Sequence, residues 1–157
     1  MKKPPRTAPT ARQTVGVLSI SPIQEDHLEL ERIFGRPEWS LYTESDWTMH
    51  AAGSLGSALP VLRNGGVAIV LSERDLFPGT WRELLAELWK IPDPPLLIVT
   101  SLLADERLWA EALNLGAYDV LAKLFDAGEV IRTLSLAWLH MWNDLQTETR
   151  STMAMAG

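Results

Sequence analysis

Five short runs of residues, each followed by a helical pattern, constrain the fold more than any other feature of the sequence. Most of these runs are rich in Val, Ile and Leu and apolar throughout, which is typical of strands buried on both faces of a sheet. Parallel strands need a crossover connection, and the helical patterns supply one after each run. The predicted strands are residues 14–20, 39–42, 67–71, 96–100 and 120–122. The sequence therefore predicts an α/β domain with a five-stranded parallel sheet covered on both faces.

The segments between the predicted strands carry the apolar spacing of helices. Ser21 is the predicted N-cap of the first helix, with Pro22 at its first position, and Asp126 opens a capping box with Glu129 before the last helix. The five helical stripes are Ile23, Leu30, Ile33 and Phe34; Ala51, Leu55, Leu59 and Leu62; Trp81, Leu84, Leu85, Leu88 and Trp89; residues through Trp109 and Leu113; and Val130, Ile131, Leu134, Ala137, Trp138 and Met141.

Composition indicates one domain and excludes several classes of function. Residues 1–13 are basic and Pro-rich, so we expect disordered tails at residues 1–13 and 146–157 around a domain at residues 14–145. The net charge of -6 argues against a nucleic-acid partner, because phosphate contact needs clustered Lys and Arg. The absence of Cys excludes disulfides and Cys nucleophiles. No apolar run is long enough for a membrane span or a secretory signal, so we expect a cytoplasmic protein without membrane contact.

Polar residues at the predicted strand ends are the candidates for a functional site. In open α/β sheets, ligands bind at the carboxyl ends of the strands. The three histidines are scattered without a partner at metal-ligand spacing, so we expect surface or helix-end roles for His27, His50 and His140. The strand-end candidates are Ser21, Pro22, Ser72, Glu73, Thr100, Ser101 and Lys123.

Residues 96–125 combine a strand, an acidic helix start and a Gly-Ala pair followed by a lysine. They read Leu-Ile-Val-Thr-Ser, then Ala-Asp-Glu, then Leu-Gly-Ala-Tyr-Asp-Val-Leu-Ala-Lys-Leu-Phe. This pattern resembles the second half of a response-regulator receiver domain of the CheY-like superfamily, and the resemblance extends over residues 14–142. It implies a doubly wound, flavodoxin-like fold with strand order 2-1-3-4-5 and five helices in three α/β/α layers. Thr100 matches the family's phosphate-sensing hydroxyl and Lys123 its phosphate-binding lysine.

The first half departs from the receiver pattern at the metal site. Receivers place two adjacent acids after the first strand to hold Mg²⁺, whereas Ser21 and Pro22 occupy these positions here. Proline offers no ligand and serine only a neutral one. Glu25 and Asp26 lie one turn further on and could lean in, but acids in a first helical turn are ordinary dipole partners. We therefore expect no cofactor, with Mg²⁺ binding as the less favoured alternative.

The phosphate-accepting position and the switch positions also differ from the family pattern. The residue that matches the acceptor is Glu73, with Asp75 as the alternative acceptor. The resemblance leaves two roles open for Glu73. It either mimics a phosphoryl group, held by Lys123 and by a hydrogen bond from Thr100, or it is a solvated loop residue.

Two further family features are missing, one within the fifth strand and one just after it. Val120 replaces the aromatic switch residue, and Leu124 replaces the proline that follows the lysine. A cis peptide bond before Leu costs about 3 kcal/mol or more, so we expect a trans bond there.

These departures predict an atypical receiver, or pseudo-receiver. The resemblance implies a non-enzymatic, stand-alone bacterial signalling protein of a two-component system or phosphorelay, acting by protein–protein interaction. The expected partner is a histidine kinase, an output protein or a second copy, bound through the fourth helix, fifth strand and fifth helix. The proposed interface residues are Trp109, Trp138 and Trp142.

Two alternatives stay open at this point. One is a working receiver phosphorylated on Glu73 or Asp75. The other is a flavodoxin-like domain that binds a small ligand at the same strand ends.

Overall fold

The computed structural model describes the backbone of residues 13–156 and the side chains up to residue 144. The predicted tail at residues 1–13 lies outside the described residues except for Gln13. The predicted tail at residues 146–157 begins inside the last helix, whose backbone is described to Ala156. In chain order the elements are β1 Thr14–Ile20, α1 Gln24–Phe34, a 3-10 helix Pro37–Leu41, β2 Asp46–Ala52, α2 Leu55–Asn64, β3 Ile69–Glu73, α3 Trp81–Leu88, β4 Leu96–Ser101, α4 Glu106–Leu115, β5 Asp119–Ala122 and α5 Ala127–Ala156.

The five strands form one parallel sheet in the order β2-β1-β3-β4-β5. This confirms the predicted doubly wound topology with strand order 2-1-3-4-5. The register pairs Ile20 with Ser72 and Glu73 with Thr100, so the carboxyl ends of the central strands lie side by side. The sheet therefore gathers the candidate residues at one edge, as expected for parallel strands.

Two hydrophobic clusters cover the two faces of the sheet. The cluster on one face joins α2, α3 and α4 to the sheet, with Trp81 fully buried at its centre. The cluster on the other face joins α1, the 3-10 helix and α5 to it through residues such as Leu30 and Leu134. The domain is thus a three-layer α/β/α structure, in which burial of both sheet faces explains the apolar strands.

The second strand is not where the sequence predicts it. Residues 39–42 belong to or follow the 3-10 helix, and the strand is Asp46–Ala52. This edge strand is largely exposed or half-buried, so it carries no continuous apolar run. Trp39 instead packs against α1: its ring stacks on Phe34 at 5.0 Å and its indole N–H donates to the carbonyl of Ile33. Ala51, predicted in the second helix, is therefore part of β2.

The helix ends confirm one predicted cap and correct two other predictions. Asp126 accepts a hydrogen bond from the backbone N–H of Glu129, as the capping box predicts. Ser21 is not the N-cap of α1, which begins at Gln24. Trp89 is exposed rather than on the buried stripe, because α3 ends at Leu88 and the Trp89 ring lies over Gly116.

Candidate functional site

Three charged side chains meet at the carboxyl edge of the sheet. Glu73 is the last residue of β3, Lys123 follows β5 directly, and Asp26 lies in the first turn of α1. The Lys123 ammonium lies 2.6 Å from Glu73 Oε1 and also donates to Asp26 Oδ2. The Lys123 side chain is 3% exposed, and those of Glu73 and Asp26 are each 10% exposed. We call Asp26, Glu73 and Lys123 the lysine cluster.

Each carboxylate of the lysine cluster has a second hydrogen-bond partner. Ser21 Oγ donates to Asp26 Oδ2 at 2.6 Å, and the backbone N–H of Asp75 donates to Glu73 Oε2 at 2.7 Å. Buried charges are tolerated when they are paired and hydrogen-bonded in this way. The arrangement therefore orients both carboxylates towards one ammonium.

His27 supports the loop that carries Ser21. Its Nε2 lies 2.9 Å from the Ser21 carbonyl oxygen, and its Nδ1 lies 2.9 Å from Ser19 Oγ. The ring is buried on the inner face of α1, so the expectation of a surface or helix-end role is wrong for this histidine. The ring thus ties the end of β1 to α1, next to Asp26.

Asp75 lies outside the lysine cluster. Its carboxylate pairs with the guanidinium of Arg74 at 3.1 Å and is partly exposed. The two candidate acceptors therefore differ in environment: Glu73 is buried against an ammonium, and Asp75 is in a loop beside solvent.

The fold is similar to that of solved receiver structures. The chain is similar to the signal receiver domain of an HD domain-containing protein from Pseudomonas fluorescens Pf-5, with a TM-score of 0.71 and 23% identity over 87% of this chain and 94% of that one. It is also similar to the receiver domain of a putative Luxo repressor protein from Vibrio parahaemolyticus, with a TM-score of 0.69 and 13% identity over 88% of this chain and 98% of that one. A third similar structure is a CheY-like receiver domain protein from Methanospirillum hungatei JF-1, with a TM-score of 0.69 and 15% identity over 85% of this chain and 99% of that one. The fold is that of a response-regulator receiver domain.

This likeness is structural, and the sequence comparisons add nothing to it. No family model matches the chain, and no curated protein matches it in sequence. Within the described part of the chain, no helix combines the length and apolar character needed to cross a membrane.

The residues at the receiver's metal position do not fit Mg²⁺. This ion prefers octahedral oxygen coordination through carboxylates and waters. Ser21 and Pro22 provide no carboxylate, and the two nearby carboxylates, Asp26 and Glu73, both bind the Lys123 ammonium. Among residues 13–144 no group of three or more His, Asp or Glu side chains could hold a metal ion. Asp26 does lean into the site, but a side-chain cation occupies the place between the carboxylates.

Thr100 lies beside Glu73 but does not bind its carboxylate. It is buried at the end of β4 and is the register partner of Glu73. The polar contacts of the Glu73 carboxylate in the described residues are with Lys123 and the Asp75 N–H, so the predicted hydrogen bond from Thr100 is wrong. The Glu73 side chain is one methylene longer than that of the aspartate in the family pattern, and its two oxygens bind these partners instead. Glu73 is nonetheless buried, which contradicts the solvated-loop interpretation.

Two of the other strand-end candidates make hydrogen bonds with backbone close by in the chain. Ser72 Oγ donates to the Glu73 carbonyl, and Ser101 Oγ accepts from the N–H of Leu103. Val120, at the aromatic switch position, is half-buried in β5. Within the described residues, none of these three side chains makes a hydrogen bond with a charged group of the lysine cluster.

The peptide bond between Lys123 and Leu124 is cis, so the predicted trans bond is wrong. Lys123 itself makes contacts with three other elements: its N–H donates to the Ser101 carbonyl, and its ammonium binds the two carboxylates. Local sequence preference alone cannot report these contacts, which come from β4, β3 and α1.

The three predicted interface tryptophans do not share a face. Trp109 is 50% exposed on α4, on the side of the sheet covered by α2, α3 and α4. Trp138 and Trp142 are half-buried with ring centroids 6.0 Å apart, and both line a groove formed with residues 40–45 on the α1–α5 side. The structure therefore separates Trp109 from the pair on α5.

Asp26 is the member of the site that the sequence pattern did not assign. The sequence shows it as one of two acids in a helical first turn, where most acids face solvent. The signal that distinguishes it is its spacing: Asp26 lies five residues after Ser21, on the side of α1 that also carries Leu30 and Ile33. Glu25, its neighbour, points outward and lies 3.7 Å from Arg32.

Proposed function

We propose that this chain is an atypical receiver domain that acts by protein–protein contact in two-component or phosphorelay signalling. We further propose that it is not an enzyme and is not phosphorylated by the usual Mg²⁺-dependent route. The observation that carries the proposal is the placement of the Lys123 ammonium between the buried carboxylates of Asp26 and Glu73.

Two features of the site oppose phosphoryl transfer. Transfer depends mainly on charge neutralisation by metal ions and on in-line positioning of the acceptor. The acid pair that would hold the metal is absent, and the carboxylate at the acceptor position is already bound by an ammonium and a backbone N–H. Both the metal and a free acceptor are needed, so either change supports an inactive site.

Glu73 supports a fixed state of the receiver rather than a switching one. An ionised carboxylate carries one negative charge, whereas a phosphoryl group carries about -1.5 to -2. The Lys123 contact resembles the one implied for a phosphorylated receiver, and Val120 offers no ring to report a change at Thr100. We infer that Glu73 is a permanent partial mimic of the phosphorylated acceptor.

Exposed apolar side chains support a protein partner at this edge of the domain. Large apolar residues in the loops after β1, β3, β4 and β5 are exposed around the lysine cluster, and an exposed apolar surface of this kind is typical of interaction sites. The exposed loop residues are Ile23, Phe77, Leu102, Leu103 and Leu124.

On α4, Trp109 remains our candidate for a contact through the fourth helix, while the position of Trp138 and Trp142 favours a separate role.

A phosphorylation assay tests the proposal. The protein is incubated with a small acyl-phosphate donor and Mg²⁺, with an active receiver in the same tube, and both intact masses are measured. We expect an adduct on the active receiver only. An adduct on this chain that is lost in Glu73→Gln or Asp75→Asn would show a working receiver and overturn the proposal.

The small-ligand alternative predicts a cavity beside Glu73. A cavity of about 740 Å³ in the described structure lies instead at the opposite edge of the sheet, lined by Thr14, Gly16 and Leu96 near the amino-terminal ends of β1 and β4. The position of this cavity gives no support to ligand binding at the strand ends that carry Glu73.

A further inference from the structure

The cavity at the amino-terminal edge of the sheet has both aromatic and acidic residues in its lining. Trp138, Tyr118 and His140 line it, and so do the exposed residues Asp93 and Asp144. The backbones of Gly16 and Gly66 approach closely in its wall, where a Cβ on Gly16 would lie 2.1 Å from the Gly66 carbonyl oxygen. The result is an open groove that suits an extended, apolar and positively charged occupant.

The chain itself carries a segment of this chemistry at the mouth of the groove. Thr14 lines the cavity, so residues 1–12 join the domain within one or two residues of it. These twelve residues include no acid, and they contain three prolines and four cationic side chains. The prolines are Pro4, Pro5 and Pro9, and the cations are Lys2, Lys3, Arg6 and Arg12.

We propose that residues 1–12 bind in this groove, with prolines against Trp138 and Tyr118 and cations facing Asp93 and Asp144. Pro-rich segments bind aromatic-lined grooves because their extended conformation costs little entropy to order. Twelve extended residues reach about 40 Å, more than enough to cross the groove. The short connection through Gln13 raises the effective concentration of the segment at the site.

This inference goes beyond the proposed function, because the groove lies at the opposite edge of the sheet from the lysine cluster. A second groove, of about 540 Å³, competes for the same segment. Gln13, Tyr42, Glu44, Trp138 and Trp142 are among its lining residues. We favour the first groove because two acidic residues line it, whereas Glu44 is the acid that lines the second.

Paramagnetic labelling of the full chain tests the proposal. The protein has no cysteine, so Thr7→Cys provides a single attachment point for a nitroxide. We expect the label to broaden the backbone amide signals of Gly66 and Tyr118, and to leave those of Leu41 and Tyr42 much less affected. A diamagnetic label at the same position gives the reference intensities.

Charge variants identify the contacts. In Asp93→Asn/Asp144→Asn the broadening at Gly66 and Tyr118 should be lost, while the matched control Glu31→Gln/Glu44→Gln should retain it. Asn is well suited to the positive φ of 50° at position 93, so the turn is preserved. Retained broadening in the Asp93/Asp144 variant would overturn the charge argument.

Three other outcomes would also overturn the proposal. Uniform weak broadening would mean that residues 1–12 have no fixed site, and broadening centred on Leu41 and Tyr42 would place them in the second groove. In a mixing experiment, nitroxide-labelled protein without isotopes is added to isotope-labelled protein without a nitroxide. If the signals broaden as much as they do when both labels are in one chain, the occupant is a second copy.

Discussion

Replacing Lys123 by methionine measures how strongly the lysine cluster stabilises the fold. The substitution keeps an unbranched side chain up to the ε position and removes only the ammonium, which leaves Asp26 and Glu73 buried without a cation. At an effective dielectric constant of 20, unit charges 2.6 Å apart attract by about 6 kcal/mol. Desolvation of the ions offsets part of this attraction, and loss of one partner of a buried ion pair costs about 3–5 kcal/mol. We therefore expect Lys123→Met to lower the free energy of unfolding by that amount.

Urea unfolding followed by tryptophan fluorescence measures this change, and the seven tryptophans provide the signal. Lys90→Met is the matched control, because Lys90 pairs with Glu87 at 2.9 Å but its side chain is 70% exposed. Exposed pairs contribute at most about 1 kcal/mol. We expect the triple variant Asp26→Asn/Glu73→Gln/Lys123→Met to recover most of the loss, since it removes both uncompensated charges.

The reasoning fails if Lys123→Met costs no more than Lys90→Met. It fails equally if the triple variant is no more stable than Lys123→Met, because the loss would then come from packing rather than charge. An unchanged urea m-value in all variants is needed for this comparison, since a change in m would report a different unfolded or native state.

Two further predictions concern the opposite edge of the sheet. Gly16→Ala should destabilise the domain by about 1–3 kcal/mol, because its Cβ would overlap the Gly66 carbonyl; urea unfolding measures this, and a loss below 0.5 kcal/mol, roughly the range of neutral surface changes, would contradict it. Burial raises the pKa of the Tyr118 hydroxyl, and the Asp119 carboxylate adds to this shift. The native state thus retains this proton to higher pH than the unfolded chain, so the stabilisation is present below about pH 10 and lost as pH rises through the native pKa. We expect Tyr118→Phe to remove this part of the alkaline loss in unfolding experiments from pH 8 to 11, and identical pH profiles for the two proteins would refute it.

The sequence predicted the parts of the structure that follow from the parallel sheet. Glu73 and Lys123 were found because strand ends converge at one edge whatever the details of their loops. The sheet order was confirmed, since it follows from the receiver resemblance carried by residues 96–125.

The errors arose where tertiary contacts override local patterns. β2 is a largely exposed edge strand without an apolar run, and Trp39, from the segment predicted as this strand, packs instead beside α1. Asp26 joins the site through a residue 97 positions away, which no local pattern shows. The orientation of Glu73 towards Lys123 rather than Thr100 likewise depends on contacts between distant elements.

The placement of the Lys123 ammonium has a consequence for how information could pass through such a domain. A metal ion enters and leaves a site according to its concentration in solution, whereas an ammonium attached to the chain is present in every folded molecule. Chelators and changes in magnesium or phosphate-donor levels should leave the charge at this edge unaltered. On the proposed function, the strength of the signal would depend on the amount of the protein in the cell, which synthesis and degradation set.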